Sequence, residues 1–382
     1  MRITPKTYSL VVHHRRWIAY VVTISGIFAA LTTYAGQNSD AAGRTPWTLT
    51  SNLVHPRHSF QATTLLDGRV LVEGGVGMNA MKTSELFDPV SKAWTLSGRL
   101  GQGRWQHTAT LLADGRVLVA GGLGGASSSA LASAEVYDPS NATWTATGNL
   151  VTARANHSAI LLGDGRVLVV GGVSTNGVLL ETAEIYDPAS GTWVLTGNVG
   201  QEVELSTLTS LQDGRVLLAG GVGHAELATA FLYNPATGTW APTGSLHDAR
   251  YNATATLLTN GQVLVAGGQA ILGALKSAEL YDPTTGAWTV TGNLNNARYN
   301  HTATRLLDGS VVVTGGFGLN DLQSTEVYTL ATGQWQMNGA LNMPVQRHAA
   351  ALLQDGEIVV AGGEFAKGPR FRVVAVSQVG PP

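Results

Sequence analysis

Residues 104–122 read RWQHTATLLADGRVLVAGG, and residues 133–144 read SAEVYDPSNATW. Four short segments rich in Val, Leu, Thr and Tyr are separated here by turn residues. His107–Leu112 and Arg116–Ala120 read as two strands joined at Asp114-Gly115. Asp-Gly between such runs predicts a two-residue type I′ hairpin, in which both turn residues take positive φ. Gly121-Gly122 ends the second strand where backbones must approach closely or turn left-handed. Glu135–Tyr137 is a third strand, stopped by Asp138-Pro139, and Trp144 sits on a fourth.

Working outward, the unit recurs. Double glycines begin at Gly74, Gly121, Gly171, Gly220, Gly267, Gly315 and Gly362, and tryptophans fall at Trp47, Trp94, Trp144, Trp193, Trp240, Trp288 and Trp335. The same turn returns at Asp67, Asp164, Asp213, Asp308 and Asp355, with Asn260-Gly261 in the fifth unit. A period of 47 to 50 residues between double glycines, with four strands per unit, predicts an all-β, seven-bladed propeller. A Trp in an inter-blade core buries about 150–250 Å², so these rings are read as core rather than as ligand-stacking platforms. The first Trp segment has no strands before it, and the last unit has no Trp strand. The two ends therefore complement each other. The segment at Trp47 should supply the outer strand of blade seven, beside a third strand at Phe371–Val379, leaving no open edge.

Composition narrows the function. The formal net charge is −2, which provides no basic field for nucleic acid. The chain has no cysteine, which excludes disulfides, thiolate-zinc sites and cysteine nucleophiles. Residues 1–43 differ from the rest: His13, His14, Arg15 and Arg16 precede an apolar run from Trp17 to Leu31. A positive segment followed by an apolar one reads as an export signal, with Thr33-Tyr34-Ala35 as its cleavage site, or as an uncleaved signal anchor. The expected organisation is that segment and linker at 1–43 and the propeller at 44–382. The expected location is periplasmic, extracellular or N-terminally anchored, with no other membrane contact, as a monomer.

The order of double glycine, Tyr and Trp in the quoted stretches resembles the kelch-repeat propellers, over nearly everything after residue 44. That resemblance implies a fold, since kelch propellers include protein-binding modules, carbohydrate-linked enzymes and oxidases. The galactose-oxidase-like branch depends on a tyrosine cross-linked to a cysteine, which this chain lacks. Copper-radical chemistry in that form is not expected, and no cofactor is.

Candidate sites follow from position in the repeat. The Asp-Gly and Asp-Pro turns share one face. The opposite face carries the loops after the double glycine and those before the first strand, and it varies between units, so it is the expected binding face. His107, His157, His301 and His348 begin four innermost strands at the mouth of the central channel. Four imidazoles there suit an anion, a metal or acid–base work, or each serves its own blade. Arg57, Arg104, Arg154, Arg250 and Arg298 recur with Glu85, Glu135, Glu184, Glu279 and Glu326, and units four and seven lack both. Joint presence and absence reads as a buried pair in each blade, so losing one partner should cost more than losing both. Blade four breaks the pattern with Glu202, Glu204, His224 and Glu226, which should gather on the loop face as ligands for a cation. Whether any metal binds is left open by the sequence. The expected function is non-catalytic binding of a protein or glycan. The alternative is a carbohydrate-acting enzyme using His and Glu at the mouth.

Overall fold

The computed structural model describes residues 47–125, 128–367 and 370–380. The export segment expected at 1–43 lies outside these residues. The described chain forms seven antiparallel four-stranded sheets, each ordered from the axis outward. Blade two is typical, with strands Thr108–Leu111, Val117–Ala120, Ala134–Asp138 and Thr143–Ala146. Innermost strands of successive blades lie side by side around the whole circle, including Gln61–Thr64 of blade one against Ala349–Leu352 of blade seven.

Second strands such as VLVA at 117–120 are buried on both sides, because the hydrophobic core lies in the seams between blades. Trp193 of blade three packs on Leu118, Ala120 and Ala134 of blade two, and the cross-strand Tyr186–Trp193 pair sits at a centroid distance of 5.0 Å. The third-strand tyrosines also latch the seams: Tyr186 Oη meets Thr147 Oγ1 of the preceding blade at 2.8 Å.

The ring closes with strands from both ends. Thr48 and Leu49 pair with Val379 and Gln378, and the strand Ser377–Gly380 pairs in turn with Ile358–Ala361. Gly380 stands where other blades place the tyrosine, and a Cβ there would collide with the Trp47 ring. One expected boundary is corrected. Phe371–Val379 is not a single strand, because Arg370–Val373 turns back to pair with Glu364–Lys367 in a separate ribbon.

The hairpin expectation is corrected too. Asp67 and its counterparts are not left-handed; only the following glycines are, at φ 85–89° from Gly68 to Gly356. Gly68 N–H bonds Leu65 O, Leu65 N–H bonds Arg69 O, and Asp67 Oδ1 accepts Arg69 N–H. The loop therefore has three residues, Leu66 to Gly68, the form in which one glycine carries the left-handed turn.

Candidate functional site: the mouth of the central channel

Each blade sends one residue in the left-handed region to the channel mouth on the loop face: Ser59, Gln106, Asn156, Leu205, Asn252, Asn300 and Arg347, at φ 51–56°. None is glycine. Such a conformation costs about 1–3 kcal/mol for residues of this kind and persists where the surroundings enforce it. Here the enforcing contacts are backbone hydrogen bonds that run round the ring: Gln106 N–H to Ser59 O, Asn156 to Gln106, Leu205 to Asn156, Asn252 to Leu205, Arg347 to Asn300 and Ser59 to Arg347. The ring presents amide and hydroxyl side chains to a cavity of about 380 Å³.

The four repeated histidines also line this cavity but are committed to the seams. His157 Nε2 meets Thr108 Oγ1 at 3.0 Å, His301 Nε2 meets Thr254 Oγ1 at 3.1 Å, and His348 Nε2 meets Thr302 Oγ1 at 3.0 Å. Each partner belongs to the preceding blade, not to the histidine's own blade. The first glycine of each pair makes this possible: a Cβ at Gly121 would meet the His157 ring, and one at Gly267 the His301 ring. Burial, and then the charge of Arg104, hold His107 down to about 3; burial and Arg298 do the same for His348. His157 and His301 are lowered well below the usual range, again by burial and then by Arg154 and Arg298. All four are neutral at neutral pH.

His107 has a different neighbour. Its Nε2 lies 3.5 Å from Oε1 of Glu73, a carboxyl with no solvent exposure and no hydrogen-bond partner among the described residues. Burial pushes this carboxyl well above the ordinary range, with Arg57 opposing. The other blades place Ala, Val or Thr at this position.

The arginines do not reach the mouth. Arg104 donates from Nη1 to Gly121 O and Ser133 O, and from Nη2 to Ser133 Oγ and to Glu135 Oε1 at 2.8 Å. Glu135 also accepts the N–H groups of Gly101 and Gln102 in the loop entering the blade. Arg57–Glu85, Arg154–Glu184, Arg250–Glu279 and Arg298–Glu326 repeat this arrangement at 2.6–2.7 Å. In blade seven Gln378 stands at the glutamate position beside Val345, and its Oε1 accepts Asn342 N–H. Blade four fills the same space with Val203 and Phe231.

Blade four does not gather its acids. His224 Nε2 contacts Glu202 Oε2 at 3.2 Å, but both are exposed, His224 by 92%. Glu204 Oε2 instead accepts Asn156 Nδ2 across the seam. Glu226 faces Tyr251 of blade five, whose phenol is pushed up by burial and then by that carboxylate. The expected convergence on one cation is thereby corrected: among the described residues no three His, Cys, Asp or Glu side chains could hold a metal ion.

A cluster that the repeat analysis passed over lies between blades seven and one. Arg347 Nη1 donates to Glu364 Oε1 at 3.1 Å, and His58 Nε2 lies 3.6 Å from Glu364 Oε2. His58 Nδ1 meets Ser59 Oγ at 3.0 Å. Burial and Arg347 lower His58 to about 4, while burial, with Asp321 adding to it against Arg347, raises Glu364. The signal was present in the sequence: Glu364 follows a double glycine where other units have Val, Leu, Gln or Phe.

Comparison with known proteins agrees with this architecture. The kelch motif matches residues 105–150 and 154–198. A fungal alcohol oxidase of the AA5 family, solved in complex with copper, superposes with a TM-score of 0.73 at 18% identity, covering 89% of this chain and 77% of that one. The structure of YjhT superposes at 0.61 with 16% identity, covering 75% of this chain and 99% of that one. No curated protein matches the sequence. The chain has no cysteine, so the tyrosine–cysteine cross-link of the galactose-oxidase-like branch cannot form here.

Proposed function

We propose that this chain, a kelch-repeat β-propeller, is an exported binding module that holds a polar ligand, on a glycan or a protein, at the mouth of its central channel. The observation that carries this reading is the ring of seven left-handed residues, six of them polar, built into the cavity wall. Strain kept in every blade at one rim supports a use for that rim. Against it, the groups repeated round the mouth have little left for catalysis: the imidazoles are neutral and packed in seams, and the arginines are paired inside blades. The rival reading, an acid–base enzyme, draws support from two places, the Glu364 carboxyl beside His58 and the Glu73 carboxyl 3.5 Å from His107.

The test uses the ring's own tolerance. Leu205 already occupies the ring conformation, so Asn252→Leu with Asn300→Leu removes two amides on a backbone known to accept leucine. On a glycan array read with full-length protein, the double variant should lose the signals of the wild type while melting at the same temperature. Unchanged signals would remove the mouth from consideration. Turnover of an array glycan that Glu364→Gln abolishes would favour the rival.

A further inference from the structure

The five repeated arginines are turned into their blades, yet one arginine does face the cavity. Arg347 is the charged member of the left-handed ring, and it replaces the Asn of blades three, five and six. Its side chain remains 44% exposed, and among the described residues only Nη1 is engaged, by Glu364. Glu364 is itself 8% exposed and lies behind the guanidinium rather than in the cavity lining. The rest of the lining is amide, hydroxyl, imidazole and aliphatic, with one phenyl ring at Phe60.

After burial, the arginines of their own blades lower His107, His157 and His301, and Arg298 of the blade before lowers His348. Asp321, a second acid that acts on Glu364, accepts Gln346 Nε2–H and Ala366 N–H. A guanidinium with free donors, set among neutral polar side chains, is suited to a carboxylate, sulfate or phosphate.

We infer that Arg347 is an anion subsite, and that the ligand of the mouth is a sugar carrying one negative group, its hydroxyls held by the amides of Asn252 and Asn300. The inference rests on the mouth being the binding site. A cavity of about 380 Å³ fits a small acidic sugar.

The experiment is calorimetric titration of full-length protein with galacturonate, galactose 6-sulfate, galactose 6-phosphate and neutral galactose. At least one acidic sugar should bind about tenfold or more tighter than galactose, and added salt should weaken that preference. Arg347→Gln should erase the preference, bringing acidic sugars to the affinity that the same variant shows for galactose. The pair Arg347→Gln with Glu364→Gln should behave alike, which separates lost charge from a stranded carboxyl. An acidic peptide of the same charge should not compete; if it alone binds, the ligand is a protein. Equal affinity for acid and neutral sugars, unchanged by Arg347→Gln but abolished by the Asn252→Leu, Asn300→Leu pair, would overturn the anion subsite and keep the mouth. No binding of any sugar at about 50 mM would overturn the inference, with the array result then deciding the mouth on its own.

Discussion

Replacing Arg104 by valine removes four hydrogen bonds in one step. Gly121 O loses its donor, Ser133 O keeps only Gly121 N–H, Ser133 Oγ loses one bond, and Glu135 loses its counter-charge. Breaking one side of a buried ion pair costs about 3–5 kcal/mol. Glu135 is not stranded altogether, because Gly101 N–H and Gln102 N–H still donate to it. About 4 kcal/mol is therefore the expected loss. Removing both partners does not restore the fold as a simple pair would. The double change to Arg104→Ala and Glu135→Ala relieves the charge but orphans two further N–H groups, at about 1–3 kcal/mol each. The structure thus revises the expectation from sequence that joint loss is milder. The double alanine variant should fall within about 1.5 kcal/mol of either single one, with a coupling energy near 4 kcal/mol. Blade seven supplies the rescue. There Val345 stands at the arginine position and Gln378 at the glutamate position, and Gln378 Oε1 still caps the entering loop. Arg104→Val with Glu135→Gln copies that solution and should regain about 2 kcal/mol over Arg104→Val alone. Urea denaturation followed by tryptophan fluorescence would measure all five variants. A valine–glutamine variant no more stable than Arg104→Val, or a single-variant loss below about 1 kcal/mol, would refute the view of the pair as a hub between charge and loop.

Three other outcomes are expected. Glu73 holds its proton in the fold well above its unfolded value, so its burden is absent below about pH 4.5 and grows as pH rises; Glu73→Gln should raise the urea midpoint at pH 8 and have little effect at pH 4, and a pH-independent gain would contradict it. His107 and His348 sit near 3 in the fold against about 6.5 unfolded, so their contribution is complete above pH 6.5 and is lost as pH falls toward 3; His348→Gln should flatten the fall in urea midpoint between pH 6.5 and 4. Removing residues 44–52 takes away the outer strand of blade seven and should abolish cooperative melting, an expectation that a full-length-like calorimetric transition in the truncated chain would end.

Much of the ring was legible because each blade repeats the same local argument. The double glycine, the Tyr–Trp pair and the Asp-Gly loop mark strand ends in all or nearly all units, and the missing outer strand had one place to come from. What periodicity could not supply was depth. Two residues at the same repeat position read alike whether they face the channel or the seam. His157 was legible as a mouth residue, but its bond to Thr108 needed the neighbouring blade in place. The left-handed ring left almost no trace, since Gln106, Leu205 and Arg347 are not residues that advertise positive φ.

The prominence of blade four in the sequence has a definite cause. In blade four the departures are consecutive, Gln201 to Ser206, and so are conspicuous in a linear reading. Strand geometry separates neighbours, however: Glu204 turns to Asn156 across the seam while Glu202 reaches toward solvent and His224. The seam between blades seven and one does the opposite. His58 and Ser59 of blade one enter from near the start of the chain, and Arg347 and Glu364 of blade seven from near its end, so each departure looks like a frayed terminus. Closure of the ring turns these four end effects into one cluster. In a closed repeat protein a shared feature belongs first to the unit, as the five Arg–Glu hubs do. Departures become a site only where the closed ring brings them within reach of one another, and here that place is the rim at Arg347.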